Sequence, residues 1–373
     1  MENLISKKDV LPTGKPSIIK TPSPKNNTMN ALVYHGPGKK TWEQAAKPVI
    51  LETTDAVVKI LKTTICGTDL HIMKGDLPEV KEGRILGHEG VGVIEEVGSS
   101  VSNFKKGDHV IISCVTSCGK CEYCKKGMYS HCEKGGWILG YMIDGTQAEY
   151  TRIPYADNSL YAIPAGSDEE ALVMLSDILP TGFECGVLNG QVKPGDTIAI
   201  VGAGPVGMAA LLTAQFYTPA EIIVIDQDDN RLNVAKTFGA THVINSGAEN
   251  AVDKVMSLTN GKGVDTAIEA VGVPATFELC EAIIAAGGHI ANIGVHGKSV
   301  TLHLETLWSR NISITTRLVD TVTTPMLFKT VQSKKIEPKK LITHRFKLDQ
   351  MIEAYDTFEH AAKEKALKVI LEN

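Results

Sequence analysis

The sequence carries little excess charge of either sign. Lys and Arg number 38 against 43 Asp and Glu, a formal net charge of -5, with no long single-sign block. No basic face is therefore on offer to a phosphate backbone or an anionic leaflet, which argues against nucleic acid and membranes as partners and favours a small molecule. Cysteine is too sparse for a disulfide scaffold: there are eight in 373 residues, and five crowd between Cys114 and Cys132. That distribution points to metal and to a reducing, cytoplasmic compartment. The N-terminal stretch lacks the apolar core of a signal peptide, and Met1 to Thr28 is rich in Lys, Pro, Ser and Asn without a single Arg. Residues 1–28 read as a disordered extension with the ordered chain starting at Met29. Organellar targeting is the minor alternative, because presequences are Arg-rich.

Glycine is plentiful, at 34, and hydrophobic residues make up 43%. The composition is that of a globular chain, longer than the size at which one core usually divides. The uncharged stretch Thr197 to Ala220 is long enough to span a bilayer, but Gly202, Gly204 and Pro205 interrupt it after a mostly β-branched run. A strand, a turn and a helix fit better. From Ala31 to about Tyr161, short β-rich runs (ALVYH, DAVVKILKT, GVGVIEEVG, GDHVIISC, QAEYTRIP) alternate with glycine turns, as in a mostly antiparallel β unit. From about Leu179 to Arg317, strands alternate with helices, including helices near Val252 to Leu258 and Ala275 to Ala286, as in a doubly wound parallel sheet. The tail holds a helical stretch and the strand-like ALKVIL, expected to pair back onto the first unit. The α/β chain thus divides into a mostly β unit of residues 29–180 and 319–373 and a doubly wound, Rossmann-type unit of 181–318.

Two constellations could hold metal. Cys118, Cys121, Cys124 and Cys132 form C-x2-C-x2-C-x7-C in a lysine-containing loop, enough thiolates to close a tetrahedral structural zinc shell. Cys114 lies near enough to substitute, although a core thiol is the better reading for it, as for Cys185 and Cys280. The second set is dispersed: Cys66 in ICGTDLH, His88 and Glu89 in LGHEG, and Asp177 in LSDILPTG. Each alone is weak, and a lone His in a glycine turn is more often a structural hydrogen-bonder. Together they offer S, N and O donors with room for an open position. Asp69 either orients His88 or is a solvated turn residue.

Gly202, Gly204 and Gly207 in IAIVGAGPVG form G-x-G-x-x-G between a strand and a helix, the arrangement that seats a pyrophosphate on a helix N-terminus. Asp226 ends the next strand, nineteen residues after Gly207. Its carboxylate suits ribose hydroxyls and repels a 2'-phosphate, favouring NAD over NADP, with Arg231 close enough to compensate in some geometries.

GHEG followed by VGVIEEVGSSVSNFKKGDHV, the four-cysteine lobe and the later glycine turn occur in the order of a known family. Over about Met29 to Asn373 the sequence resembles the zinc-dependent medium-chain alcohol dehydrogenases, and within them the secondary-alcohol (isopropanol-type) enzymes. The resemblance implies a GroES-like catalytic domain and a Rossmann coenzyme domain. It also implies Cys66, His88 and Asp177 as catalytic zinc ligands, with Glu89 entering or leaving the shell. The subfamily assignment leans on Asp177, where liver-type enzymes carry Cys. Thr68 and His71 resemble the family's proton relay, running through the cofactor ribose, although bacterial secondary-alcohol enzymes often have Ser where Thr68 stands. Thr181 near the nicotinamide, backbone groups at Gly272 and Val295, and Lys368 near the pyrophosphate are implied too, as is a homotetramer, with a homodimer as alternative. The expected activity is oxidation of a propan-2-ol-class alcohol to its ketone with hydride transfer to NAD. Polyol, butanediol or formaldehyde-type dehydrogenases are the alternatives, or a non-catalytic zinc- and dinucleotide-binding module. Trp137, Ile138 and Tyr141 are read as a substrate wall or as domain core.

Overall fold

The computed structural model describes residues 27–373. The expected extension over 1–28 lies almost wholly outside the described residues, and Thr28 already opens strand β1 (Thr28–Tyr34). β1 pairs antiparallel with β2 (Lys40–Ala46) on one side and β4 (Arg84–Ile85) on the other. The larger sheet of this unit runs β15 (Ile342–Lys347), β16 (Lys368–Glu372), β3 (Ala56–Thr64), β5 (Gly90–Val97), β6 (His109–Ile112), β8 (Leu160–Ile163), with β7 (Tyr150–Ile153) also on β3. All these pairs are antiparallel except β15 with β16. The tail returns as expected: Ile370 of β16 faces Thr64 of β3.

The second unit is a six-stranded parallel sheet in the order β11 (His242–Asn245), β10 (Glu221–Asp226), β9 (Thr197–Val201), β12 (Val264–Glu269), β13 (Ile284–Asn292), β14 (Ser313–Thr316). Strand order reverses between β9 and β12, and ligands of open parallel sheets bind at the strand C-termini beside such a switch point. The central strands bury four or more of their residues in succession, as helix-covered parallel strands must. The uncharged stretch resolves into β9 and the helix Pro205–Ala214. Among the described residues no single helix is long and apolar enough to cross a membrane.

Several elements differ from the sequence reading. The helix expected to reach Ala286 is Pro274–Ile283, because Ile284 is already extended and opens β13, while Gly287 has a positive φ that no helix tolerates. β2 went unread because its alternation is mostly polar and half-exposed, the pattern of an edge strand. The units also share a core. Val91, Ile111 and Ile163 join Ile198 and Ile200 of β9 through the buried segment Leu172 to Phe183. There the helical turn Ile178–Thr181 runs directly into the wider π-helical turn Gly182–Leu188, so the chain crosses from one unit to the other inside a helix.

Candidate metal centre and dinucleotide crevice

Cys66 caps the helix Gly67–Lys74, where its backbone N–H donates to Asp69 Oδ2 at 2.8 Å. His88 follows Gly87, whose φ of 92° and contact with Gln147 leave no room for a side chain. Asp177 stands at the break between two helical turns. These elements bring Cys66, His88, Glu89 and Asp177 together, all buried, with one ligand atom of each within 4.8 Å of all the others. The spacing suits a tetrahedral zinc shell. Bonds of about 2.0–2.3 Å place N and O ligands about 3.4 Å apart and S and O ligands about 3.6 Å apart. Here His88 Nε2 lies 3.3 Å, and Cys66 Sγ 3.8 Å, from Asp177 Oδ2. Glu89 Oε1 is buried with no hydrogen-bond partner, a further sign of an electropositive occupant.

The electrostatics follow from burial and neighbours. Burial pushes the Glu89 carboxyl up to about 7 against the pull of Lys368. Burial also works against the charged forms of His88 and Asp177, but they sustain each other: His88 is held well above the ordinary imidazole value and Asp177 below the carboxylate range. Asp69 Oδ1, buried and unpaired, sits 4.0 Å from His88 Nδ1, on the side of the ring away from the cluster. Gln147 Nε2 donates to Asp69 Oδ2 and to the Thr64 carbonyl, and Tyr355 Oη donates to Gln147 Oε1 at 2.8 Å.

Sequence reasoning missed Gln147 and Tyr355, since a glutamine in a strand run and an aromatic on a late helix carry no motif. It also did not anticipate the surroundings of Lys368, expected near a pyrophosphate. Its ammonium is fully buried, 2.6 Å from Glu89 Oε2 and 3.4 Å from the Ile65 carbonyl, so it forms part of the metal cluster's wall. Thr64 Oγ1 donates to the same Glu89 oxygen.

Thr68 Oγ1 lies 3.9 Å from Cys66 Sγ, and His71, on the next turn of the same helix, hydrogen-bonds Asp76 through Nδ1 at 2.7 Å. Trp137 meets the His88 ring edge-on at 6.4 Å and stacks on Tyr141, so both line the cluster's approach while half-buried. Cys114 is not beside the cysteine lobe. Its Sγ donates to Asp177 Oδ1 at 3.5 Å, and burial pushes its pKa well up. Cys185 and Cys280 are buried free thiols, as a core role requires.

The lobe gathers Cys118, Cys121, Cys124 and Cys132 to the same 4.8 Å criterion. Four sulfurs about 2.3 Å from one zinc stand about 3.8 Å apart, and Cys118 Sγ to Cys124 Sγ is 4.0 Å. The lobe is fastened to the second unit through Ser130, whose N–H and hydroxyl donate to Asp320, whose own N–H donates to buried Glu184.

In the crevice, Gly202 has φ of 106°, Gly204 caps the helix Pro205–Ala214, and Gly207 packs on the Gly202 carbonyl. A Cβ at Gly204 would meet nothing within 4 Å, so this position faces open space where a pyrophosphate would approach. Asp226 braces the turn: Oδ2 accepts from Ala203 N at 2.6 Å, and Oδ1 from Gln227 N and Asp228 N. Oδ1 is filled by two amides, while Oδ2 keeps a second acceptor site, so bracing the turn leaves the carboxylate able to accept from a ribose hydroxyl. Arg231 follows on the helix Asp229–Thr237, its Nε buried without a partner. Thr181 Oγ1 donates to Asp177 Oδ1 at 2.6 Å, linking the expected nicotinamide contact to the metal cluster. Gly272, at φ 89°, abuts the backbone of Val295 at the mouth of β12 and β13.

The comparisons agree with this architecture. The family described as alcohol dehydrogenase GroES-like domain matches residues 52–165, and the zinc-binding dehydrogenase family matches 205–332. An alcohol dehydrogenase of Cupriavidus necator is 35% identical, the match covering 92% of this chain and 98% of that protein. The solved apo form of zinc dependent alcohol dehydrogenase 2 from Streptococcus pneumonia is 59% identical, with a TM-score of 0.89 over 92% of this chain and 98% of that one. A probable NADP-dependent isopropanol dehydrogenase of Mycoplasma pneumoniae is 32% identical over 85% of this chain and 92% of its own. A GroES-like unit carrying a metal cluster, joined to a Rossmann unit, defines a zinc-type dehydrogenase. The chain belongs to the zinc-containing medium-chain alcohol dehydrogenase family.

The support that Asp69 lends the His88 ring from 4.0 Å behind Nδ1 is directly testable. Asp69→Asn keeps the shape but removes the charge behind the imidazole, and is expected to weaken zinc retention at the first cluster about 10–100-fold in chelator competition. Unchanged retention would show that Asp69 serves only the helix cap.

Proposed function

We propose that the chain reversibly oxidises small secondary alcohols to ketones with NAD as hydride acceptor, and holds one catalytic and one structural zinc. The observation carrying the reading is the carboxylate Asp177 set against Cys66 and His88, with a hydroxyl and an aromatic wall beside them. Cys66, His88 and Asp177 would hold the catalytic ion, with Glu89 as the movable fourth donor, and the four lobe cysteines the structural one. Zinc supplies a Lewis acid for the alcohol oxygen, and the dinucleotide supplies the hydride acceptor.

The chain's own residues do the rest. Thr68 Oγ1 accepts the alcohol's proton as its own hydroxyl proton passes outward, so the threonine stays neutral. His71 keeps Nδ1–H on Asp76 and so presents Nε2 as the proton acceptor, three residues on along the same helix face. Trp137 and Tyr141 stack at 4.8 Å and keep the approach apolar and narrow, which suits a short alcohol better than a polyol chain. The expected outcome is NADH formation with propan-2-ol exceeding that with ethanol, sorbitol or formaldehyde. Cys66→Ser is expected to lower bound zinc from two to one per chain and to abolish nearly all turnover. A preference for sorbitol or formaldehyde would move the enzyme to the alternative class, and full turnover in the variant with one zinc would reject the ligand assignment.

Asp226 carries the coenzyme preference. Asp226→Gly is expected to narrow the NAD over NADP ratio of kcat/KM at least about tenfold, because a carboxylate facing a 2'-phosphate costs several kcal/mol. An unchanged ratio would assign the choice elsewhere. The unpartnered Arg231 Nε favours NADP as the second reading.

A homotetramer built through the coenzyme unit, with the homodimer as alternative, is supported by β14, the edge strand of its sheet, and by Leu304 and Trp308 just before it, exposed by 58% and 78%. Light scattering coupled to size exclusion is expected to return four chains, and a monomer would reject the arrangement.

A further inference from the structure

The two loops at the mouths of β12 and β13 meet backbone to backbone. A methyl group on Gly272 would strike the Val295 carbonyl, and one on Gly294 would strike the Gly272 amide. One residue fastens both loops. The Glu269 carbonyl accepts from Ile293 N at 2.8 Å and Gly294 N at 3.2 Å, while Oε1 of its fully buried carboxylate accepts from Val271 N and Gly272 N, both at 2.9 Å, and from Thr276 Oγ1 at 2.7 Å.

The other carboxylate oxygen, Oε2, is buried and has no hydrogen-bond partner. His296 stands beside it, with Nε2 3.4 Å from Oε2 and 2.8 Å from Asn292 Oδ1. Both neighbours are acceptors, so the ring proton sits on Nε2, hydrogen-bonded to Asn292 with Glu269 Oε2 beside it. Asn292 Nδ2 donates on to the Gly294 carbonyl at 2.9 Å, and Phe277 stands edge-on to the imidazole at 6.2 Å. The latch therefore closes the second loop on itself and sets a ring N–H against the open oxygen of the carboxylate that holds the first.

The adenosine half of a dinucleotide lies over β10, where Asp226 ends. The nicotinamide half then falls on the far side of the switch point, over β12 and β13. There the latched loops present apolar side chains outward: Val271 and Val295 are 43% and 53% exposed, a surface for a flat ring. The Gly202 turn packs against Val271 and Ala270, so the first loop is also held from the β9 side, independently of His296.

We infer that His296, through Glu269, is a positioning residue that holds the 270–273 and 293–297 loops as one preformed wall of the nicotinamide pocket, and so sets affinity for the nicotinamide half of the coenzyme. The inference rests on the dinucleotide reading above. A loop ordered before binding spares the ligand the cost of ordering it.

The experiment measures dissociation constants of NADH and of ADP-ribose, which lacks the nicotinamide, for the intact protein and two variants. His296→Phe keeps an aromatic ring against Phe277 and removes the ring nitrogens, including the Nε2–H donor. His296→Gln keeps a donor. NADH binding is expected to weaken about tenfold in the Phe variant and to recover to within about threefold in the Gln variant, with ADP-ribose unchanged within twofold in both. Parallel weakening of both ligands, failure of Gln to rescue, or no change in NADH would overturn the latch. Wild-type protein that binds neither ligand would instead overturn the dinucleotide reading, and the latch with it.

Discussion

The rest of the structure answers to one expensive arrangement, a thiol, an imidazole and two carboxylates buried within touching distance. Buried ionisable groups are tolerated only when paired or metal-bound, and the chain supplies a counter-charge on each side. Lys368 faces Glu89 from β16, and Asp69 faces His88 from the helix that begins at Cys66. That requirement accounts for a strand from the far end of the sequence being threaded between β15 and β3, where its lysine enters with no exposed surface. It also accounts for Gln147 and Tyr355, which fix Asp69 so that its charge cannot turn away.

The same economy joins the two units. Asp177 lies on the helical segment that leads into the π-helical turn. Thr181 and Cys114 both donate to its Oδ1, and Glu184, seven residues on, receives the backbone of the Asp320 segment. Asp320 in turn holds Ser130 of the cysteine lobe. Metal cluster, lobe and coenzyme unit are thus linked by hydrogen bonds of buried groups, each of which would be costly to break.

The features legible in the sequence were those whose chemistry is local. Four cysteines within fifteen residues and three glycines within six announce a metal lobe and a phosphate turn by spacing alone. The alternation of strands and helices likewise foretold the parallel sheet. Cys66, His88 and Asp177 were individually ambiguous; their combined donor types suggested a metal, and the likeness to a family gave them roles as ligands. What stayed hidden was long-range or backbone-mediated. Lys368 lies 279 residues from Glu89, and no periodicity signals an ion pair at that distance. Glu269 works through amides and a carbonyl that every residue possesses, and β2 has an edge strand's weak polar alternation. The helix ending at Ile283 was overrun because apolar residues continue without a break into β13.

The pairing of Glu89 with Lys368 also imposes an order on biosynthesis. At translation speeds of about 5–20 residues per second, the 279 residues between them take at least about 14 s to make. Throughout that interval the nascent β unit carries a carboxylate whose counter-ion does not yet exist, and β3 waits for the neighbour that will cover its edge. The first unit to leave the ribosome is therefore the last to close, and it closes only on a chain whose Rossmann unit has already been synthesised.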